Sequence, residues 1–286
     1  MEFSRPVTEI IRQRFSCRRY RDTPIGVEER RRLEAFLASS TESPLGSTAR
    51  FHLVAATEES QQSLQGLGTY GTIRNPTAFI IGAVKPGGKN LEGFGYLLER
   101  AVLYATDLGL GTCWLGGFFT RSSFSRAIRL SGTETIPAVI AMGTKASPSA
   151  EADVFRQIAN GAHRRPWEQL FFDGSFGVPL TRDVAGPCAE PLEMVRLGPS
   201  ASNKQPWRVV RDGAGWHFYV HRTPGYHNVF TKLARVVDLQ LVDLGIALCH
   251  FGLTASELGL PGAWQVRDPG IERPNDLTEY VVSWAV

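Results

Sequence analysis

Two arginines and a serine near the start of the chain alternate at a spacing of two residues. Arg14, Ser16 and Arg18 follow an apolar helical pattern that begins near Val7, at the point where that helix should end. In an extended segment, side chains two residues apart share one face. Two guanidinium groups and a hydroxyl on one face suit a phosphate, because arginine offers forked donors and a permanent charge. This spacing therefore indicates an anion site.

The same arginines also fit a simpler interpretation. Five arginines lie within residues 12–21, and runs of like charge are more often solvated surface than phosphate sites. Composition alone favours this alternative. A second basic patch at residues 163–167, HRRPW, contains Arg164 and Arg165 and is equally ambiguous by itself.

A polar turn precedes a strand pattern in the second part of the chain. Residues 198–210 read GPSASNKQPWRVV, and Pro199, Ser200 and Asn203 belong to its turn-rich beginning. Such a loop offers backbone groups and short polar side chains that can hydrogen-bond the edge of a heteroaromatic ring. A plain turn between a helix and a strand explains the same residues.

A pair of glycines follows the first long helical pattern. Residues 109–118 read GLGTCWLGGF, where Gly116 and Gly117 permit close approach by a flat ligand or by another strand. The segment follows a helix and lacks the G-x-G-x-x-G spacing, which excludes a dinucleotide fingerprint. Residues 86–90, PGGKN, also fail the P-loop pattern, because Asn90 stands where Ser or Thr would bind magnesium.

The elements that must position these motifs form an internal repeat. Residues 95–110 match residues 245–260 at an offset of 150, with seven of 16 positions identical. Gly95 and Gly245 are one identical pair, and Trp114 and Trp264 keep the same offset. Two unrelated amphipathic helices with glycine ends would explain the leucines alone. The additional matches favour duplication.

The predicted elements have the same order in each half: helix, strand pair, long helix, strand. In the first half, helices are predicted near 7–15 and 27–38, strands at 51–56, 77–83 and 136–143, and a long helix at 91–107. In the second half, helices are predicted at 189–196 and 232–257, and strands at 207–210, 216–220 and 279–285. We therefore predict an internally duplicated α+β fold with mostly antiparallel sheets flanked by helices, divided into residues 1–146, a connecting helix/loop segment 147–187 and a shorter half 188–286.

Composition argues against several classes of protein. The chain has 31 Lys+Arg against 28 Asp+Glu, a net charge of +3 that is too balanced to indicate nucleic-acid binding. Neither an apolar run long enough to span a bilayer nor an N-terminal secretory stretch is expected. Four widely spaced cysteines predict buried thiols in a reducing cytoplasm and no metal site: Cys17, Cys113, Cys188 and Cys249. We expect a cytoplasmic protein with a small-molecule substrate and without nucleic-acid or membrane partners.

Taken together, the three motifs resemble those of the nitroreductase family of FMN proteins. Residues 14–24 resemble that family's Arg-x-Ser-x-Arg opening, with its following aromatic residue, Asp and Pro. Residues 199–207 resemble its Pro-Ser-x-x-Asn-x-Gln-Pro-Trp stretch, and residues 109–118 its Gly-Leu-Gly-x-x-Trp-x-Gly-Gly-Phe stretch. The resemblance spans nearly the whole chain and is similar to that of tandem proteins that hold two halves in one chain. It implies the nitroreductase-like fold.

The motifs are divided between the halves, and the resemblance gives this division a meaning. Family members are usually homodimers with the flavin at the subunit interface. Here the arginine motif occurs only in the first half, and the Pro-Ser loop is intact only in the second, its counterpart at 39–51 reading SSTESPLGSTARF. We therefore predict one FMN per chain, bound between two halves that mimic a dimer, so that a monomeric pseudo-dimer is possible.

The resemblance also implies residue roles. Arg14, Ser16 and Arg18 would hold the FMN phosphate, with Arg164 or Arg165 completing the cage. The Pro-Ser loop would reach the ring and the ribityl chain, and the glycine pair would present backbone groups near the flavin N5. Ala201 stands where many relatives have a second serine, so only a backbone contact is expected there. The predicted cofactor-binding residues are Arg14, Phe15, Ser16, Arg18, Leu115, Gly116, Gly117, Arg164, Arg165, Pro199, Ser200, Ala201 and Asn203.

The implied activity is an FMN-dependent NAD(P)H oxidoreductase of nitroreductase type. NAD(P)H would donate hydride to the flavin N5, and a nitroaromatic, quinone or similar acceptor would take it. No catalytic side chain and no metal are predicted, and the histidines, including His250, are interpreted as structural. The alternative is a flavin- or anion-binding scaffold that has lost reductase activity, because each half has lost motifs.

Overall fold

Each half of the chain folds as an antiparallel sheet with a long helix packed against it. The computed structural model describes residues 3–57, 64–146, 163–213, 215–225 and 237–286. The first half contains α1 (Val7–Gln13), α2 (Val27–Ser39), β1 (Ala49–Ala55), β2 (Ala78–Val84), α3 (Asn90–Asp107), β3 (Gly111–Leu115), α4 (Arg121–Ala127) and β4 (Val139–Gly143). Its strands form one sheet of order β1-β2-β4-β3.

The second half repeats this arrangement. It contains β5 (Phe171–Asp173), α5 (Arg182–Ala185), α6 (Ala189–Leu197), β6 (Trp207–Asp212), β7 (Gly215–His221), α7 (Leu239–Glu257), β8 (Ala263–Gln265) and β9 (Thr278–Ala285), with short 3₁₀ turns at Trp167–Gln169, Gly186–Cys188 and Ala201–Asn203. Its sheet has the order β5-β6-β7-β9-β8. The last four strands reproduce the first sheet's order, which confirms the duplicated α+β fold.

Strand β5 is the one addition to the repeated order, and it comes from the connecting segment 147–187. It pairs in parallel with β6, with Phe171 opposite Val209, whereas the other described strand pairs are antiparallel. The chain leaving the first half therefore completes the edge of the second sheet. Residues 147–162 of this connection lie outside the described residues.

The first sheet is buried on both faces, which explains the apolar run of β2. Ala78, Ile80 and Val84 pack in the core beneath α3. Phe79 and Ile81 belong to a separate core on the opposite face, which also includes residues of α4. A strand that is covered on both faces reads as a continuous apolar sequence rather than an alternating one.

The two long helices cross at the glycines that the repeat had paired. A Cβ placed on Gly245 would lie 2.0 Å from the carbonyl oxygen of Glu92 and 2.8 Å from the Cα of Gly95. A Cβ on Gly95 would lie 2.2 Å from the carbonyl oxygen of Val242. Only glycine allows the backbones of α3 and α7 to approach this closely. The axis that relates the two halves therefore passes near this crossing.

The C-terminal ends of the same helices hold the N-terminal segment of the chain. The carboxylate of Asp107, at the end of α3, accepts hydrogen bonds from the backbone N–H of Ser4 at 2.7 Å and from its hydroxyl at 2.8 Å. Glu257, at the equivalent position of α7, accepts from the backbone N–H of Val7 and from the hydroxyl of Thr8. Helix α1 is thereby fixed between the halves.

The structure differs from the predicted elements at several boundaries. Helix α1 ends at Gln13, and β3 and β8 were not predicted, because five- and three-residue strands beside glycines give little periodic signal. The second long helix begins at Leu239 and not near 232, since Val237 is not helical and the Asp238 carboxylate caps the helix by accepting from the N–H of Gln240 at 3.1 Å. Residues 226–236 lie outside the described residues.

Two compositional expectations also need correction. Cys17, Cys113 and Cys249 are buried free thiols as predicted, but Cys188 is half-buried.

By length and composition alone, α7 could cross a membrane, contrary to the expectation that no apolar run is long enough. Its apolar residues are buried against α3 and the second sheet, as expected for the core helix of a globular fold.

Candidate functional site

The arginine segment lies along the edge strand of the first sheet. After α1 ends, Arg14 adopts an extended conformation, and Ser16 forms a parallel bridge with Thr112 of β3. The backbone N–H of Cys17 donates to the carbonyl oxygen of Thr112 at 2.8 Å. This pairing carries the segment alongside the strand that ends at the glycine pair, so it joins two of the sequence motifs in the first half.

The two arginines of this motif have different surroundings. The side chain of Arg14 is buried, and its Nε lies 3.7 Å from the carboxylate of Glu99 on α3. Arg18 is half-buried, and no carboxylate pairs with it among the residues that the structure describes. Ser16 is also half-buried. Arg18 is therefore the arginine of this motif that is best suited to an external anion.

The Pro-Ser loop of the second half holds an unusual backbone conformation. Ser202, Asn203 and Gln205 all have positive φ angles, of 49°, 53° and 50°, a region that non-glycine residues rarely adopt. The hydroxyl of Ser200 accepts a hydrogen bond from the N–H of Gln205 at 2.8 Å, which closes the loop on itself. Strained backbone of this kind persists where the surroundings fix it, and it is concentrated at functional sites.

The basic patch of the connecting segment packs against this loop. Arg164 donates to the carbonyl oxygen of Leu197 from Nε and Nη2, at 3.3 and 3.1 Å, and its Nη1 lies 3.5 Å from the Asn203 Oδ1. The amide of Asn203 donates to the carbonyl oxygen of His163 at 3.0 Å. The side chain of Arg165 turns away, toward Lys204 and Gln169. The structure thus brings together the basic patch at residues 163–167 and the Pro-Ser loop, which the sequence could not connect.

The first turn of α7 joins the loop to the glycine pair of the other half. The carboxylate of Asp243 accepts from the backbone N–H of Ala201 at 2.9 Å. One turn earlier, the side chain of Leu239 lies against Gly116, where an added Cβ would be 2.5 Å away. Residues four apart share one helix face. Gly116 and Ala201 therefore contact the same face of α7, one turn apart.

The remaining predicted residues contribute in different ways. Phe15 is 40% exposed, with the Lys145 ammonium 6.0 Å from its ring centroid. The side chain of Leu115 is buried in the core of the first half, so only its backbone is available to a ligand. Gly117 is exposed and borders open space, and Pro199 is half-buried.

Asp243 is a site residue that the sequence analysis missed. Its side chain is buried, and its second oxygen has no hydrogen-bond partner among the described residues. Burial raises the pKa of Asp243 well above its ordinary value, and the charge of Asp238 adds to this effect, while the bond from Ala201 opposes it. An acid inside the apolar stretch of α7 was the available signal, as was its replacement by Gly93 at the equivalent position of the first half.

The raised pKa of Asp243 predicts a pH-dependent stability. Because the folded state favours the protonated acid, this group's contribution is complete below its unfolded pKa and is lost as pH rises through the folded pKa. Asp243→Asn keeps the acceptor for Ala201 and removes the charge. The free energy of unfolding of the variant minus that of the wild type should therefore increase by about 1–3 kcal/mol as pH rises from 4 to 8. Urea unfolding of both proteins at several pH values measures this difference. If it were the same at every pH, the prediction would be wrong.

Comparison with known proteins is consistent with this arrangement. The family model described as "Putative TM nitroreductase" matches residues 6–255. The chain belongs to this nitroreductase family. No curated protein matches the sequence. Among solved structures, a protein of Thermotoga maritima described as a "putative nitroreductase" is 19% identical with a TM-score of 0.62, and the match covers 98% of this chain and 94% of that one.

Half-length members of the nitroreductase fold also match. One, from Desulfovibrio desulfuricans and described as a complex with FMN, is 23% identical with a TM-score of 0.40, and the match covers 53% of this chain and 95% of that one. Among the residues that the structure describes, this chain has no group of three or more His, Cys, Asp or Glu side chains arranged to hold a metal ion.

Proposed function

We propose that this chain is an FMN-dependent NAD(P)H oxidoreductase that binds one FMN between its halves. The observation that carries the proposal is that Gly116, from the first half, and Ala201, from the second, contact the same face of α7 one turn apart. The glycine pair of one half and the Pro-Ser loop of the other thus border the same helix, which supports a site between the halves. A site divided in this way needs both halves to be complete.

The residues of this site suit the phosphate end of a flavin. Arg18 and Ser16 would hold the phosphate, because a half-buried guanidinium without a carboxylate partner in the described residues suits an anion. Arg14 would add its positive charge to the same segment. Arg164, which packs against Asn203, would complete the cage from the connecting segment.

The other end of the site presents backbone groups to a flat ring. The conformation of the loop at residues 199–205 is fixed by Asp243 and by the loop's own internal hydrogen bond, so its N–H and C=O groups have fixed directions. Gly117 borders open space and permits close approach. These groups would orient the ring, and preorganised donors of this kind stabilise charge that develops during a reaction.

When bound, FMN would supply the redox chemistry, hydride transfer through N5 from NAD(P)H to a small acceptor such as a nitroaromatic or a quinone. The chain binds and orients, and no side chain is assigned as a catalytic acid or base. We further propose that the protein works in the cytoplasm as a monomeric pseudo-dimer, with a small-molecule substrate and without nucleic-acid or membrane partners. The burial of α7 within the fold supports this part of the proposal.

A visible spectrum of the protein reconstituted with FMN tests the proposal. We expect one bound FMN per chain, loss of the oxidised-flavin absorbance when NADH or NADPH is added without oxygen, and its return when a quinone is added. Bound flavin that neither nucleotide reduces would instead support the alternative of a scaffold that has lost its activity. Absence of stoichiometric flavin binding would overturn the proposal altogether.

A further inference from the structure

A buried acid and a buried histidine join the two long helices next to the arginine segment. Glu99 of α3 and His250 of α7 are both fully buried, and the His250 Nε2 lies 2.9 Å from the Glu99 Oε1. The other oxygen of Glu99 accepts from the indole N–H of Trp114 at 2.8 Å. This pair is the most deeply buried ionisable contact between the halves in the described residues.

The hydrogen bonds of His250 require one shared proton. Its Nδ1 lies 2.7 Å from the carbonyl oxygen of Met194, which can only accept, so Nδ1 carries a hydrogen. The contact between Nε2 and Glu99 then needs a second hydrogen. That proton lies either on the imidazole, giving an imidazolium–carboxylate pair, or on the acid, giving a neutral pair. In both cases the pair is electrically neutral overall.

Arg14 is the third member of this cluster. Its Nε lies 3.7 Å from the same Glu99 oxygen that faces His250. Because Glu99 and His250 together are neutral, the charge of Arg14 is not cancelled. The pair therefore holds the Arg14 guanidinium in place without neutralising the positive charge of the segment.

On its other side, the pair reaches the start of the Pro-Ser loop. Met194 lies in α6, the helix that leads into this loop. A Cβ placed on Gly198 would be only 3.7 Å from the His250 Nδ1. The contacts therefore run from the arginine segment through Glu99 and His250 to the beginning of the loop, across both halves.

The internal repeat provides a comparison for this cluster. At the offset of 150, the position of Glu99 is occupied by Cys249 and that of His250 by Arg100. Arg100 lies over the ring of Phe36, with its guanidinium carbon 5.7 Å from the ring centroid. The acid–histidine pair thus occurs on one side of the duplicated fold only. That side is also the one that keeps the arginine motif and the Pro-Ser loop.

We infer that Glu99 and His250 are positioning residues that share one proton across the halves and fix the Arg14 guanidinium relative to the Pro-Ser loop. This inference rests on the proposed flavin site. The affinity for a ligand that spans the two motifs then depends on two buried side chains that do not touch that ligand. A contact that served only to stabilise the helices would have no such dependence.

Glu99→Gln, which keeps the side-chain shape, tests this inference by NMR on the full-length protein without flavin. In the wild type, ¹⁵N shifts at neutral pH should show both His250 ring nitrogens bound to hydrogen or sharing one, and a protected Nε–H for Arg14. In the variant, one ring nitrogen should be unprotonated and the Arg14 signal should exchange faster. A wild-type spectrum that shows no hydrogen on either side of the contact between the His250 Nε2 and the Glu99 oxygen would overturn the shared proton.

FMN titration of folded protein supplies the second measurement. Glu99→Gln and His250→Gln should each weaken FMN binding about tenfold, as expected when a charge-assisted contact is lost. Arg100→Gln, at the repeat-equivalent position, should leave FMN affinity unchanged. Unaltered affinity in both site variants would refute positioning, and if one variant does not fold the other decides. Should the wild type fail to bind FMN, the proposed function falls, and the NMR result alone decides whether the pair exists.

Discussion

Gly245→Ala is expected to destabilise the protein by about 3 kcal/mol, although alanine is the better helix former by about 1 kcal/mol. The added methyl group would lie 2.0 Å from the carbonyl oxygen of Glu92 and 2.7 Å from the backbone nitrogen of Tyr96. Neither is the end of a flexible side chain, so the helices themselves must separate. Because α7 carries Asp243 and His250, this separation should also reduce flavin binding.

The free energy of unfolding in urea measures this effect. Gly95→Ala, at the equivalent position of α3, should behave in the same way, since its Cβ would meet the backbone of Val242 at 2.2 Å. Gly252→Ala is the matched control on α7, because its nearest neighbours are side-chain atoms of Trp264 and Tyr96 at 3.2 and 3.3 Å. If Gly245→Ala and Gly252→Ala were equally stable, the close helix crossing would be wrong.

Arg18→Gln should weaken FMN binding by roughly 30- to 150-fold while leaving the fold intact. Loss of a charged hydrogen bond to a phosphate costs about 2–3 kcal/mol, and each 1.4 kcal/mol is about tenfold in affinity. Arg18 is half-buried, and no ion pair holds it among the described residues, so its removal should have little effect on stability. Fluorescence titration of the flavin-free protein with FMN gives the affinity, and thermal unfolding gives the stability.

Arg21→Gln is the control for this prediction. Arg21 is exposed and belongs to the same arginine-rich run, and its backbone N–H donates to the carbonyl oxygen of Thr144. Removal of one charge from the run should therefore change FMN affinity by less than twofold at moderate salt. Equal losses in the two variants would mean that the run acts as a diffuse basic surface, the simpler interpretation that composition favoured.

The sequence predicted the fold well where its signal was local and periodic. The two long helices, the strands expected at 207–210 and 216–220, and the repeated order of elements are all present as expected. The signal was weak for β3 and β8, whose pairing with β4 and β9 depends on residues distant in the chain. The start of α7 at Leu239 depends on the capping carboxylate of Asp238, which hydrophobic periodicity does not reveal.

The motifs could be found in the sequence, but not the side chains that hold them in place. Asp243 and Glu99 lie within apolar stretches of their helices, and an acid in such a stretch has no partner that spacing can identify. Their partners, Ala201 and His250, lie 42 and 151 residues away along the chain. The positions where the repeat fails, Gly93 against Asp243 and Glu99 against Cys249, were the best available clue.

By itself, the sequence determined that this chain is duplicated, that one arginine motif and one polar loop survive, and that they lie in different halves. It did so because helix periodicity, glycine pairs and motif spacing are properties of neighbouring residues. Only the tertiary structure decided that the glycine pair and the polar loop both contact the first two turns of α7, and that Arg14 faces Glu99 while Arg18 has no carboxylate partner in the described chain. Those outcomes follow from the close crossing of two helices 150 residues apart, whose geometry depends on contacts that no local pattern encodes.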